Sequence, residues 1–281
     1  IPLPPPAMKH TLALLALLLS ADVAPAAEAN LALVAKPSTS FVSGHETLAA
    51  VNDGSNPAHS DDKRNGAYGN WPQSGLQWVE YEWTRPVSTA KIDVYWFDDQ
   101  RGVRLPTACR LKYWDGSALV EVKGAKGYGL AANRFNTTTF DEVKTTRLRL
   151  EFDSNEKFST GILEWRVYDS GASPNFPPTV EAGVDRVVVV GCETWLEGRV
   201  RDDGKPSGKP KLRWSKESGP GEATFGNAEA AATGAKFSAV GKYVLKFSAD
   251  DGESSAADTV EVIVDPLPPA EPLRMVWTTP Y

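Results

Sequence analysis

Residues 75 to 169 repeat one pattern, a short run in which apolar and polar residues alternate. In WVEYEW (Trp78–Trp83), alternation places Val79, Tyr81 and Trp83 on one face and both glutamates on the other. The runs KIDVYWF, CRLKYW, TRLRLEF and GILEWRVYD repeat it, with Gly, Asp and Asn turns between them. Because successive strand residues point to opposite faces, these runs predict an antiparallel sandwich with one solvated face per sheet.

The chain of 281 residues is long enough for two domains. A Pro-rich break, SGASPNFPP (170–178), predicts a linker, because Pro and Gly interrupt strands. Residues 30–169 before it and residues 179–265 after it each contain regularly spaced strand patterns, so we predict two all-β domains. The Pro-rich residues 266–281 predict a linker into a further domain that is missing from this chain.

The N-terminal residues 1–29 have the order of a secretory signal. Met8-Lys9-His10 precedes the apolar run TLALLALLLS and an AEA site ending at Ala29, which predicts a secreted protein, extracellular or periplasmic. A membrane anchor is the alternative, although the apolar run is short for a bilayer. The residues before Met8 fit neither part and suggest an upstream start.

Charge and cysteine content narrow the possible partners. The net charge is -6 without a basic block, so nucleic acid is not expected as a partner. Cys109 and Cys192 fall in different predicted domains, so stability must come from packing or from a metal ion rather than from crosslinks.

The second predicted domain contains parts that an immunoglobulin-like core uses, namely a strand tryptophan, Trp214, and a late tyrosine, Tyr243. Leu245 stands where such domains carry their second cysteine. From PPTVEAGVDRVVVV to DTVEVIV, the segment resembles the PKD-type immunoglobulin-like modules of secreted bacterial enzymes. That resemblance implies a spacer without catalysis. Asp250 and Asp251, which precede a Gly, are interpreted as a solvated turn rather than a metal site.

The first predicted domain carries the motifs LAAVNDGSNP, WVEYEW, VYWF, RLPTACRLKYWDGSALVEV and STGILEWRVYD. In order and spacing they resemble the discoidin or F5/8 type C family, a galactose-binding-like jelly roll found in many carbohydrate-binding modules. The predicted fold class is therefore all-β, with a discoidin-like jelly-roll sandwich followed by an immunoglobulin-like (PKD-type) β-sandwich.

The resemblance implies a structural Ca²⁺ site with Asp53 in an acidic loop, Ser60 as a following hydroxyl ligand and Glu164 from the last strand. An acidic turn suits calcium, which takes six to eight oxygen ligands. Alternation in GILEWRVYD puts Leu163 with Trp165, leaving Glu164 on the opposite face and free to reach a ligand. The alternative is an Asx-turn at Asp53 and an ordinary surface glutamate.

Three polar and aromatic loops, at residues 59–72, 96–104 and 154–161, suit sugar recognition, which needs an aromatic platform and a few fixed polar groups. In the family, ligands bind where such loops gather at one end of the sandwich. The predicted ligand-binding residues are Arg64, Asn65, Tyr68, Asn70, Trp71, Asp98, Arg101, Arg104 and Phe158. Alternatively, Trp71 and Trp96 are core residues, and the two arginines of the second loop pair with Asp98 and Asp99.

No nucleophile and base arrangement is visible, and adjacent Asp98 and Asp99 would point to opposite faces of a strand. The arrangement of modules resembles the accessory region of secreted bacterial glycoside hydrolases such as the β-L-arabinofuranosidase family. We therefore expect a non-catalytic module that targets an attached hydrolase to a plant or algal polysaccharide. Alternatives are a cell-surface adhesion protein and a scaffold without sugar binding; a membrane partner is disfavoured because the loops are polar.

Overall fold

The computed structural model describes residues 28–154, 157–206 and 208–269. Most of the predicted signal (residues 1–27) and most of the predicted C-terminal linker (residues 270–281) lie outside these residues. In the described ranges, no helix has the length and apolar character that a membrane crossing requires.

The first part of the chain forms two short 3-10 helices and one seven-stranded sheet. The helices are Leu31–Val34 and Leu48–Asn52. The strands are β1 (Lys36–Thr39), β2 (Tyr68–Gly69), β3 (Leu76–Phe97), β4 (Ala108–Trp114), β5 (Leu119–Glu121), β6 (Phe135–Asp153) and β7 (Gly161–Asp169). The sheet order is β2-β7-β3-β6-β4-β5, with β1 pairing with β3, and every pairing is antiparallel.

Nine further strands follow in three smaller sheets. They are β8 (Thr179–Glu181), β9 (Arg186–Val189), β10 (Glu193–Glu197), β11 (Arg199–Arg201), β12 (Lys211–Ser218), β13 (Ala223–Phe225), β14 (Ala232–Phe237), β15 (Gly241–Asp250) and β16 (Ser255–Asp265). The sheet orders are β12-β15-β16-β9, β10-β14-β13 and β11-β8. Among the strand pairs of these three sheets in the described residues, β16 and β9 are parallel and the others are antiparallel. The predicted all-β fold class is confirmed.

The predicted runs WVEYEW and KIDVYWF belong to one long strand, β3, whose pairing shifts after Glu82 and again after Thr89. Val79, Tyr81 and Trp83 are buried as alternation predicted. The prediction of a solvated opposite face is wrong for Glu80, which is buried because Arg147 and Arg149 cover it with ion pairs of 2.6 and 2.7 Å. A carboxylate buried in this way is stabilised by its paired charges.

Two main hydrophobic cores share no residue. One is built from residues between Leu31 and Phe176, and the other from residues between Ala182 and Val264. Trp214 and Tyr243 are buried in the second core, where the Trp214 and Phe247 rings stack with centroids 4.5 Å apart. The Tyr243 hydroxyl donates to the carbonyl of Ala239 at 3.0 Å, the bond of a tyrosine corner.

The predicted linker 170–178 packs against both parts of the chain. Phe176 is buried in the first core, and its N–H donates to Asp203 Oδ2 at 3.1 Å. The Asn175 amide donates to Asp251 Oδ2 at 3.1 Å. Asp251 is almost fully buried, so the predicted solvated turn is wrong in this respect. It is nevertheless a turn, because Asp251 Oδ1 accepts hydrogen bonds from two following N–H groups.

Candidate functional site

The three polar loops of the first part are hydrogen-bonded to one another at one end of the sheet. Backbone N–H groups of one loop donate to carbonyls of another in three places: Asp98 to Ser60 (2.9 Å), Arg104 to Ser159 (2.8 Å) and Asn70 to Thr160 (3.1 Å). A small apolar cluster anchors two of these loops and contains Ala67, Tyr95, Phe97, Val103 and Leu163. The third loop is described except for Asn155 and Glu156.

Trp71 is the exposed aromatic side chain of this loop end, with 47% of its surface accessible. Its ring centroid lies 5.9 Å from that of His45, at an interplanar angle of 43°. A Cβ at Gly102 would come within 3.3 Å of the indole, so this glycine lets the second loop approach Trp71 closely. Trp71 therefore lies beside His45 and beside the second loop, which also contains the exposed Arg101.

Three of the predicted ligand-binding residues are buried, namely Tyr68, Asn70 and Asp98. Tyr68 and Asn70 have no exposed surface, so the prediction that they contact a ligand is corrected for both. Tyr68 is in the core, where its hydroxyl donates to Phe41 O at 3.0 Å and lies 2.7 Å from Thr39 Oγ1. Burial raises the Tyr68 pKa to about 12. Asn70 is also fully buried, and its Oδ1 accepts from Thr160 N–H at 2.8 Å. Tyr68 therefore supports the loop end from within, and Asn70 connects two of its loops.

Asp98, Arg104 and Phe158 lie together in the second and third loops. Asp98 Oδ1 accepts from the Gln100 N–H at 2.8 Å and lies 3.2 Å from Arg104 Nε. The Arg104 guanidinium lies 5.5 Å from the Phe158 ring centroid. The alternative in which the loop arginines pair with the loop aspartates therefore holds for Arg104, which pairs with Asp98. Asp99 instead accepts a hydrogen bond from the backbone N–H of Arg101.

A polar pocket of about 250 Å³ adjoins this group. Its walls include Ser60, Asp98, Gln100 and Asn133. Gln100 and Asn133 have φ angles of 57° and 59°, a left-handed conformation that is uncommon outside glycine. Gln100, Asn133 and His45 are not among the residues predicted from the sequence to bind a ligand. Nothing in their local sequence distinguishes them from ordinary loop residues.

Arg64 and Asn65 line a different cleft, together with Asp53 and Ser55. The Arg64 guanidinium forms two hydrogen bonds with the Asp62 carboxylate. Nε donates to Oδ1 at 2.8 Å, and Nη2 donates to Oδ2 at 2.6 Å. The hydrogen bonds from Arg64 hold the Asp62 pKa well below its usual value. The structure thus does not place Arg64 with Trp71.

Glu164 and Asp53, two of the three predicted calcium ligands, lie together. Glu164 is fully buried, which rules out the alternative of a surface glutamate. Its Oε2 accepts from the Gly54 N–H at 3.2 Å, whereas its Oε1 has no hydrogen-bond partner and lies 3.7 Å from Arg166 Nε. Burial, followed by the negative charge of Asp53, raises the Glu164 pKa to about 8. The Asx-turn at Asp53, which was the other part of that alternative, is present, because Asp53 Oδ1 accepts a hydrogen bond from Ser55 N–H at 2.8 Å.

A β-bulge at Leu163 precedes Glu164 in strand β7. The register between β3 and β7 shifts where Tyr95 pairs with Glu164 and Trp96 pairs with Ile162, which leaves Leu163 as an extra residue. Such a bulge moves Leu163 out of the face shared by Trp165, so the alternation predicted there is wrong. Glu164 pairs with Tyr95 of β3, and residues Gly161 to Trp165 of β7 are all buried.

Ser60, the third predicted calcium ligand, belongs to other contacts. Its Oγ accepts from the Asn133 N–H at 2.9 Å, and its own N–H donates to Asn133 Oδ1 at 2.8 Å. Ser60 lines the polar pocket beside Asp98 rather than the cleft of Asp53. The structure therefore does not bring Ser60 together with Asp53, and Ser60 as a calcium ligand stays a prediction.

A buried carboxylate oxygen without a partner, next to a second carboxylate, fits a cation. In the described ranges, no group of three His, Cys, Asp or Glu side chains has the arrangement of a metal site. An ion at Asp53 and Glu164 would therefore also need backbone, hydroxyl or water oxygens, which calcium accepts readily.

No protein-family model matches the chain. Solved structures of the following all-β modules resemble about half of it. One is from the β-galactosidase BgaA of Streptococcus pneumoniae, with a TM-score of 0.44 and 17% identity, covering 49% of this chain and 93% of that chain. A second is the family 32 carbohydrate-binding module of NanJ from Clostridium perfringens in complex with galactose, with a TM-score of 0.41 and 13% identity, covering 50% of this chain and 99% of that chain. A third is a pectin-binding module, with a TM-score of 0.37 and 18% identity, covering 50% and 94%.

Proposed function

We propose that this chain is a secreted, non-catalytic carbohydrate-binding module followed by an immunoglobulin-like spacer. The observation that carries the proposal is the half-exposed indole of Trp71 at the end where three polar loops are joined. Aromatic faces stack on the apolar side of sugar rings, and nearby polar groups select the hydroxyl pattern. His45 beside the indole and the exposed Arg101 supply such groups.

Rigid support makes Trp71 suitable as a platform. Asn70, the preceding residue, is held by bonds to Thr160 through both its N–H and its side-chain oxygen. Since ordering a loop on binding reduces affinity, a loop that is already fixed favours recognition. The Ser159 hydroxyl donates to Gln73 O at 2.7 Å and fixes the segment after Trp71 as well.

Calcium at Asp53 and Glu164 has a structural role in this proposal. Its charge would compensate two neighbouring carboxylates, one of which is buried and has an oxygen without a partner. Glu164 would hold the ion from β7, and Asp53 would hold it from the end of the 3-10 helix Leu48–Asn52. The ion would thereby connect the sheet to the start of the long loop that leads to Trp71.

The targeting role follows from the arrangement of the modules. A binding module tethered to a glycoside hydrolase raises the concentration of the enzyme at its polysaccharide. The sequence resemblance to accessory regions of such hydrolases supports an attached catalytic domain and a plant or algal polysaccharide as the partner.

Affinity electrophoresis against neutral and acidic polysaccharides tests the proposal. We expect retardation by at least one glycan, weakened roughly 30-fold in Trp71→Ala, as for loss of an aromatic hot spot of about 2 kcal/mol. Trp195→Ala is the matched control, because Trp195 is 55% exposed in the second part of the chain. Retardation by no glycan would refute sugar binding and favour an adhesion or protein-binding scaffold.

A further inference from the structure

Strand β11 and the loop that contains Asp53 line a common cleft of about 520 Å³. Arg199 and Arg201 are two residues apart on this strand, so their side chains leave the same face. Both line the cleft, together with Asp53, Ser55, Arg64 and Asn65. Two parts of the chain that are distant in sequence thus build one polar site.

The cleft has an excess of positive charge. Three arginines line it, against one carboxylate, that of Asp53. Arg64 is already paired with Asp62. Within the described part of the chain, neither Arg199 nor Arg201 forms a salt bridge, in contrast to Arg147 and Arg149, which share Glu80. Two guanidinium groups therefore remain available to an anion.

Arg201 and Asp53 line the same cleft. The positive side chains of its wall make the cleft attractive to anions, particularly at low ionic strength.

We propose that this cleft binds an acidic sugar residue, whose carboxylate or sulfate group is held by Arg199 and Arg201. The planar guanidinium matches both anions through paired hydrogen bonds. Ser55 and Asn65 supply a hydroxyl and an amide for the sugar hydroxyls, and the volume lies in the usual range for small ligands. This inference rests on the proposed function and specifies an acidic polysaccharide as its substrate class.

The test measures binding of the full chain by titration calorimetry with three probes: an oligogalacturonate, a sulfated galacto-oligosaccharide and a neutral galacto-oligosaccharide. The double variant Arg199→Gln and Arg201→Gln is expected to lose at least tenfold in affinity for one acidic probe and to keep its affinity for the neutral one. Whichever acidic probe is affected identifies carboxylate or sulfate as the recognised group. The loss should shrink at high salt, since exposed charges are screened.

Two further variants complete the design. Lys211→Gln with Arg213→Gln removes two exposed charges at alternate positions of β12 and should leave all three affinities unchanged. Arg199→Lys with Arg201→Lys keeps the charge but loses the planar guanidinium that can form paired hydrogen bonds. An intermediate affinity for the acidic probe is therefore expected. Unchanged acidic binding in the folded Gln variant overturns this inference, and Trp71→Ala still tests sugar binding separately. Binding of none of the probes by the unmodified chain overturns both.

Discussion

Replacing Glu164 by glutamine tests the proposed calcium site, because this fully buried carboxyl group has one oxygen without a partner. Without an ion, its folded-state pKa of about 8 lies above its ordinary value of 4.5. A raised pKa means that stability is fully present below about pH 4.5 and is lost as the pH rises through about 8. The difference corresponds to roughly 5 kcal/mol at most, since each pKa unit is about 1.4 kcal/mol.

Calcium should reverse this loss. At a concentration of 100 times its Kd, a ligand stabilises the folded state by about 2.7 kcal/mol, which raises Tm by roughly 5 to 10 °C for a chain of this size. We therefore expect a higher Tm in calcium than in chelator at pH 8, measured by differential scanning calorimetry. Glu164→Gln should remove the calcium response and, in chelator, should be at least as stable as the unmodified chain.

Glu151→Gln is the matched control for this experiment. Glu151 is also a buried glutamate of the sheet, but it is paired with Arg110 at 2.6 Å and Lys112 at 3.0 Å. Its replacement should lower Tm and leave the calcium response intact, because it removes a paired charge far from the ion. A calcium response that persists in Glu164→Gln, or is missing from the unmodified chain, would refute the reasoning.

Three other perturbations have defined outcomes. Tyr68→Phe should cost about 0.5 to 1.5 kcal/mol in urea unfolding, because the Phe41 carbonyl loses one of its two donors and Thr39 Oγ1 loses a partner; an unchanged midpoint would contradict the core assignment. Trp214→Ala should cost about 3 to 5 kcal/mol in the same assay, unless the cavity collapses completely. Burial raises the Asp202 pKa from 3.8 to about 6, so stability should fall by up to about 3 kcal/mol as the pH rises from 4 to 6. Asp202→Asn should abolish that fall in pH-dependent unfolding curves, and a fall of the same size in the variant would reject the assignment.

The strands were predictable because each one carries its own periodicity. GILEWRVYD became β7 with the same bounds, Gly161–Asp169, and CRLKYW became most of β4. Alternation also identified Val79 and Tyr81 as core. Turn residues between the runs completed this prediction, since they mark where strands end.

The candidate site was predicted less well, as Tyr68 and Trp71 show. They are three residues apart in one polar loop, and both are aromatic. Tyr68 is buried because it lies in the two-residue strand β2 and pairs with Ile162 of β7. Trp71 lies beyond the end of that strand and is exposed. A two-residue strand has no recognisable sequence pattern, because it forms through pairing with a strand that is distant in sequence.

The sequence by itself determined the all-β class and the runs that form strands, because side-chain alternation is a local property of the chain. Only the tertiary structure decided that Glu164 is buried beside Asp53, that Ser60 belongs to another pocket, and that Arg199 and Arg201 share a cleft with Asp53. Each of these depends on strand pairing or on packing between residues that are far apart in sequence. The physical reason is that burial and electrostatic environment are set by neighbours in space.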